Sequence, residues 1–167
     1  MIRVAINGYG RIGRVAHRVI LEKHAQEIEV AAINAGSSTD IKGWMYLLKY
    51  DSVYRTLSSK FKIQSSKLSD EEKTGILKDA IGHLIINDKK IPVFSQKDPS
   101  LLPWKDLNVD VVIESTGRFL TQEKLQAHLT AGAKKVVLSA PAKDPSAGRR
   151  SPEGDSGQAG NIFYITN

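Results

Sequence analysis

The chain contains no cysteine, and that absence removes a group of functions at once. Disulfides, thiolate metal sites and a thiol nucleophile are excluded anywhere in its 167 residues. Long apolar runs are also missing. No stretch approaches the roughly 18 to 20 residues of a membrane helix, and Met1 to Ile6 is too short for the apolar region of a secretory signal. A cytoplasmic setting is therefore the expectation. The four histidines, His17, His24, His83 and His128, are scattered without metal-ligand spacing, so no metal site is assigned and all four read as surface or partly buried side chains. A dense basic tract is lacking too. The 24 Lys and Arg against 18 Asp and Glu leave a net charge of +6, but the basic residues come in pairs such as Lys89-Lys90 and Lys134-Lys135 with no aromatic residues clustered among them. That pattern fits a solvated face better than a nucleic-acid patch.

What is present is an ordinary globular mixture, 41% hydrophobic and 25% charged, which disfavours disorder. The length suits one domain with a real core and falls short of a cofactor domain plus a full substrate domain. The most informative stretch is INGYGRIGR (6–14), with glycines at Gly8, Gly10 and Gly13. G-x-G-x-x-G is weak on its own, so its surroundings decide. Ile2, Val4, Ala5 and Ile6 form the apolar run of a buried parallel strand, while Ile12, Val15, Ala16, Val19 and Ile20 recur on one face of a helix reaching about Glu22 or Lys23. Ile28 to Ile33 is a second strand. The glycines thus sit at a strand-to-helix turn inside a βαβ unit, the setting of a dinucleotide-binding loop. There Gly8 permits the tight turn, Gly10 leaves room for a pyrophosphate, and Gly13 lets helix and strand approach. The N–H groups of the first helical turn then bind the phosphates.

The pattern continues in the same alternating style. Asp40 to Lys49 reads as a helix capped by Ser38, Thr39 or Asp40, and LIINDKKIPVF (84–94) as a hairpin around Asn87-Asp88. Val109 to Glu114 is a strand, Thr121 caps a helix running to about Ala131, Gly132 stops it, and Lys135 to Ser139 is another strand. The fold class expected is α/β, a Rossmann-type doubly wound and mostly parallel sheet, with an excursion from about Leu57 to Phe94 that contains the hairpin. Residues 145–160 are rich in Gly, Pro, Ser and charge and read as a flexible polar linker; 161–167 recovers a terminal strand-like run.

Five stretches, INGYGRIGR (6–14), LLKYDSV (47–53), DPSLLPW (98–104), VDVVIESTGRF (109–119) and AGAKKVVLSAPAKD (131–144), resemble the glyceraldehyde-3-phosphate dehydrogenases in order and spacing. The resemblance covers about residues 1–144 and implies their amino-terminal NAD(P)-binding domain. It implies that Gly8, Gly10 and Gly13 hold the pyrophosphate, that Arg11 and Ile12 contact it, and that Asn7 steadies the turn. Asn34 and its neighbours would face the adenosine ribose, with Lys97 near the adenine where the family usually has arginine. Ser115, Thr116, Gly117 and Phe119 would line the cleft, with Ser139 after the next strand.

The departures from the family pattern carry their own expectations. The Ser-Cys-Thr-Thr-Asn segment bearing the family's nucleophile has no counterpart, so the catalytic domain is taken as absent, no catalytic residue is assigned, and the chain is expected to be inactive alone. Two functions stay open: the cofactor portion of a phosphorylating aldehyde dehydrogenase, or a cofactor-binding module without catalysis. The partner expected is a dinucleotide, with no membrane, and a homo-oligomer is an expectation for full-length relatives only. The ribose-binding Asp of the family is replaced by Ala35. Losing that carboxylate removes its repulsion of a 2′-phosphate, and Gly36, Ser37 and Ser38 offer N–H and hydroxyl donors, so the cofactor is NAD or NADP, with NADP tolerated or preferred. The alternative is that Asp40 supplies the carboxylate and NAD stays favoured.

Overall fold

The computed structural model describes residues 1–143 and the backbone of residues 163–166; the expected linker at 145–160 lies outside the described residues. β1 (Ile2–Asn7) enters the glycine loop, α1 (Arg11–Lys23) leaves it, and β2 (Ile28–Asn34) returns parallel to β1, with Ile2 opposite Ile28 and Asn7 opposite Asn34. α2 (Ile41–Lys49) begins at Asp40, whose carboxylate accepts the Gly43 N–H at 2.8 Å. β3 (Tyr50–Asp51) and β4 (Arg55–Thr56) form a small antiparallel ribbon. β5 (Ile63–Ser66), β6 (Ala80–Ile86) and β7 (Lys89–Phe94) then run antiparallel to one another. Asn87 and Asp88 both adopt positive φ, +47° and +68°, as a two-residue hairpin turn of the primed kind demands. β8 (Val111–Glu114), α3 (Gln122–Thr130, capped by Thr121), β9 (Lys135–Leu138) and β10 (Phe163–Thr166) complete the order.

The main sheet has the order β10-β9-β8-β1-β2-β7-β6-β5. Its inner strands β9, β8, β1, β2 and β7 are parallel, and antiparallel strands flank them on both sides. The Rossmann-type sheet expected from the sequence is there. The hairpin is built into it rather than standing apart, because β7 pairs with β2 at Ile33–Val93 and Asn34–Phe94.

Period-two alternation along β1 and β2 divides the core into two layers. Ala5 and Ala32 face a cluster with Trp104, Leu125 and Leu129, on the α3 side. Ile6 and Ile33 face the other, with Tyr9, Ile20 and Leu48, on the side of α1 and α2. Small residues on one face let Trp104 and Phe94 fit, meeting edge to face at 6.4 Å.

α1 turns a different face inward than its apolar spacing predicts. Ile12 and Val19 are 54% and 41% exposed, while Gly13, His17 and Ile20 form the buried stripe and Arg18 is buried beside it. Polar partners explain the rotation. The Tyr9 hydroxyl lies 2.7 Å from His17 Nδ1. The Arg18 guanidinium donates to the carbonyls of Leu48 (2.9 Å), Lys49 (3.0 Å) and Arg55 (2.8 Å), closing the carboxyl end of α2 with a positive charge. The reading of the histidines is corrected in the same way: His17, His83 and His128 are buried, and only His24 is exposed.

Candidate functional site

β1 and β8 are neighbours in the sheet, yet the chain leaves β1 through α1 toward β2 on the opposite side. That reversal opens a crevice beyond the carboxyl ends of the two strands, where doubly wound folds bind ligands. A cavity of about 240 Å³ lies there. Among the described residues its wall includes Gly8, Gly10, Asn34, Ala35, Ser37, Lys97, Ser115, Thr116 and Phe119.

The three glycines have three separable jobs. Gly8 has φ +93°, and a Cβ on it would meet Thr116 N at 2.6 Å. A Cβ on Gly13 would lie 2.2 Å from the Gly8 carbonyl oxygen and 2.9 Å from Ile6 Cγ2. Gly10 is the opposite case: a Cβ there meets nothing within 4 Å. Protein atoms therefore fill the space at Gly8 and Gly13, and open cleft lies at Gly10. Gly10 is also the N-cap of α1, with no side-chain cap and no acidic residue in the first turn, so the helix presents its N–H groups without a competing carboxylate.

Beneath the loop runs a buried polar chain that fixes the strand ends. Trp104 Nε1 donates to His128 Nδ1 at 3.1 Å, which leaves the proton of that ring on Nε2, 3.0 Å from Glu114 Oε2. Asn7 donates to the same carboxylate oxygen, while the Thr116 N–H donates to Glu114 Oε1 at 2.7 Å and the Thr116 hydroxyl to that oxygen as well. Asn34 then donates to Asn7 Oδ1 at 2.7 Å and to the Gln96 carbonyl at 2.8 Å, and accepts from the Gln96 N–H at 2.9 Å. The ends of β1, β2 and β8 and the loop after β7 are thereby held in one register. Ser115 adds a clamp, donating to the Gly8 carbonyl at 2.7 Å. Asn7, Asn34 and Glu114 are essentially inaccessible, so these amides and this carboxylate position the site more than they contact a ligand.

Tyr9, between the first two glycines, turns its side chain under α1 to His17. Burial raises the Tyr9 phenol far above its ordinary range and pushes His17 down to about 3. The pair is neutral, the phenol donating to Nδ1.

Not every residue named from the sequence reaches the cavity. Arg11 is exposed and donates to Ser52 Oγ at 3.0 Å, and Ile12 is exposed beside it. Gly13 lies behind the loop, Gly117 takes φ +69° away from the wall, and Ser139 is exposed one strand further along, at the end of β9. Conversely, Tyr9, Trp44, Gln96 and Arg118 line the cavity without having been singled out. Three of them sit inside or beside stretches already noted and were legible there: Tyr9 in INGYGRIGR, Gln96 next to Lys97 and DPSLLPW, and Arg118 in VDVVIESTGRF.

Residues 2–122 match the family described as glyceraldehyde 3-phosphate dehydrogenase, NAD binding domain. The chain belongs to that family. The glyceraldehyde-3-phosphate dehydrogenase of Thermotoga maritima is 49% identical over 143 residues, 86% of this chain and 38% of the relative. The enzyme of Mycoplasma pneumoniae is 46% identical over 142 residues, 85% of this chain and 36% of its own length. Glyceraldehyde-3-phosphate dehydrogenase A of Escherichia coli is 41% identical over 143 residues, 86% of this chain and 37% of its own length. The chain thus spans less than two fifths of each of these relatives. In this NAD-binding domain the glycine-rich turn stands at the switch point, with the buried polar chain beneath it. Among the described residues no helix is long and apolar enough to cross a membrane.

Proposed function

We propose that this chain is the cofactor-holding part of a phosphorylating aldehyde dehydrogenase of the glyceraldehyde-3-phosphate type, and that it accepts NADP alongside NAD. The carrying observation is the composition of the cleft wall. Lys97 and Arg118 line it, and among the described residues no Asp or Glu does. Such a wall attracts a polyanion and offers no charge to repel a ribose 2′-phosphate. Asp40 does not take the place of the carboxylate that Ala35 lacks: its oxygen accepts the Gly43 N–H as the cap of α2, and the residue is absent from the wall.

The residues have distinct tasks in this reading. The N–H groups from Gly10 to Ile12 bind the pyrophosphate, Asn34 and Gln96 shape the ribose end, and Lys97 places charge near the adenine. Ser115 to Phe119 border the nicotinamide side, and Phe119 excludes water there. A bound nicotinamide supplies the hydride acceptor for aldehyde oxidation. Since none of the 167 residues is cysteine, the thiol nucleophile comes from outside this sequence, and the chain alone holds cofactor without turning over aldehyde. A cytoplasmic setting, and homo-oligomers in full-length relatives, go with this reading.

The test is titration of NAD and NADP into the wild type and Ala35→Asp. The expected result is comparable affinities for the wild type and at least about a tenfold loss for NADP on restoring the carboxylate, equal to about 1.4 kcal/mol. A wild type that prefers NAD tenfold and a substitution without effect overturn the NADP reading.

A further inference from the structure

Trp44, the fourth residue of α2, lines the cleft together with Ala35, Gly36 and Ser37. Two of its sides are taken: Tyr9 meets the ring edge to face at 6.0 Å and 75°, and the Arg14 guanidinium carbon lies 5.6 Å from its centroid. Its Nε1 is buried and has no hydrogen-bond partner, and the same holds for Arg14 Nε behind it. Buried indole N–H groups are normally paired, because leaving water without finding an acceptor costs stability. The other tryptophan of the chain obeys the rule, with Trp104 Nε1 on His128.

The neighbouring wall residues offer few side-chain acceptors. Position 35 carries a methyl group, and the Gly36 N–H makes only a long 3.4 Å contact with Asn34 Oδ1. Arg14 is anchored through Nη1 to the Tyr9 carbonyl at 2.9 Å and leaves its charge against the indole face. Trp44 and Gly36 thus bring weakly satisfied donors to the cleft wall, Arg14 stands behind the indole with Asp51 as a carboxylate acting on it, and among the described residues the wall itself holds no carboxylate.

Resting on the dinucleotide reading above, we propose that Trp44 is a specificity-determining residue for the cofactor. Its indole N–H donates to an oxygen of the ribose 2′-phosphate of NADP, with the Arg14 charge behind the ring strengthening that bond. The 2′-hydroxyl of NAD, a smaller and neutral acceptor, benefits much less.

Calorimetric titration of NADP and NAD into the wild type and Trp44→Phe, with thermal melts of both free proteins, tests this. The substitution keeps an aromatic ring and removes the N–H. Affinity for NADP is expected to fall about tenfold while that for NAD changes less than about twofold, and the melting temperature stays level or rises because the lost group had no partner. A loss shared equally by both cofactors, or none at all, overturns the proposal. A second readout needs no variant. With only two tryptophans, the indole N–H signals of a nitrogen-15-labelled chain are separable, and NADP should move that of Trp44 and leave that of Trp104 in place. If NADP binds and the Trp44 signal does not move, the role of Trp44 is refuted while the cleft reading stands. If neither dinucleotide binds the wild type, the cleft reading fails and the Trp44 role with it.

Discussion

Gly10 and Gly13 belong to one motif, and the structure predicts opposite consequences for the same substitution in each. At Gly13 a new Cβ would stand 2.2 Å from the Gly8 carbonyl oxygen and 2.9 Å from both Ile6 Cγ2 and Ser115 Oγ. Two of those three atoms are not the free ends of flexible side chains, so the loop must back away from β8 and loosen the Ser115 clamp. Overpacking of this kind costs about 1–3 kcal/mol, or a fall of several degrees in melting temperature at about 2–4 °C per kcal/mol for a chain of this size. At Gly10 the backbone lies at φ −68° and ψ −162°, an extended conformation open to alanine, and the Cβ meets nothing within 4 Å. Gly10→Ala should leave stability within about 0.5 kcal/mol of the wild type. The methyl group nevertheless occupies the proposed seat of the pyrophosphate, and NAD affinity should fall at least about tenfold. Urea unfolding followed by circular dichroism, paired with calorimetric NAD titration, separates the two effects. Separate roles for the two glycines are refuted if Gly10→Ala unfolds as readily as Gly13→Ala, or if it binds NAD like the wild type.

Other consequences follow from the buried polar groups. His17 is held at about 3 in the fold and titrates near 6.5 when unfolded, so the unfolded chain takes up a proton that the fold refuses. Its contribution is complete above about pH 6.5 and is lost as pH falls toward 3, at up to about 1.4 kcal/mol per pH unit; burial lowers His83 in the same direction. Urea midpoints at about pH 7.5, 6.5 and 5.5 should decline, and the double substitution Tyr9→Phe with His17→Phe should flatten the decline. Arg18→Met leaves three carbonyls without their donor and should cost about 2–4 kcal/mol in thermal or urea unfolding. Glu114→Gln puts an amide N–H₂ among donors from Asn7, His128 and Thr116, and should cost about 2–3 kcal/mol by the same measurements.

The parts of this molecule legible in its sequence are those governed by local rules. The glycine loop is written within the six residues from Gly8 to Gly13, and the primed turn at Asn87-Asp88 within two; Thr121 and Asp40 cap helices through bonds to the N–H three residues on. Alternating strands and helices give the sheet class. The misses need partners distant in the chain. Apolar spacing in α1 selected Ile12 and Val19, and could not register that Arg18 would find carbonyls about 30 residues away or His17 a phenol on the loop. His128 looked ordinary because Trp104 and Glu114, which saturate its two nitrogens, come from other elements. The same reason hid Trp44 from the site: α2 carries it to the cleft, and the position has no local signal for it.

Dinucleotide binding at the switch-point cleft is the central property proposed for this chain, and amide mapping of NAD binding tests it most directly. Titrating NAD into the nitrogen-15-labelled 167-residue chain should give saturable shifts concentrated at Gly10 to Ile12, Ala35 to Ser37 and Ser115 to Phe119, with one-to-one stoichiometry by calorimetry. Silence at those amides with NAD raised to several times about 1 mM, a binding free energy weaker than about −4 kcal/mol, or saturable shifts confined to another face, would contradict it.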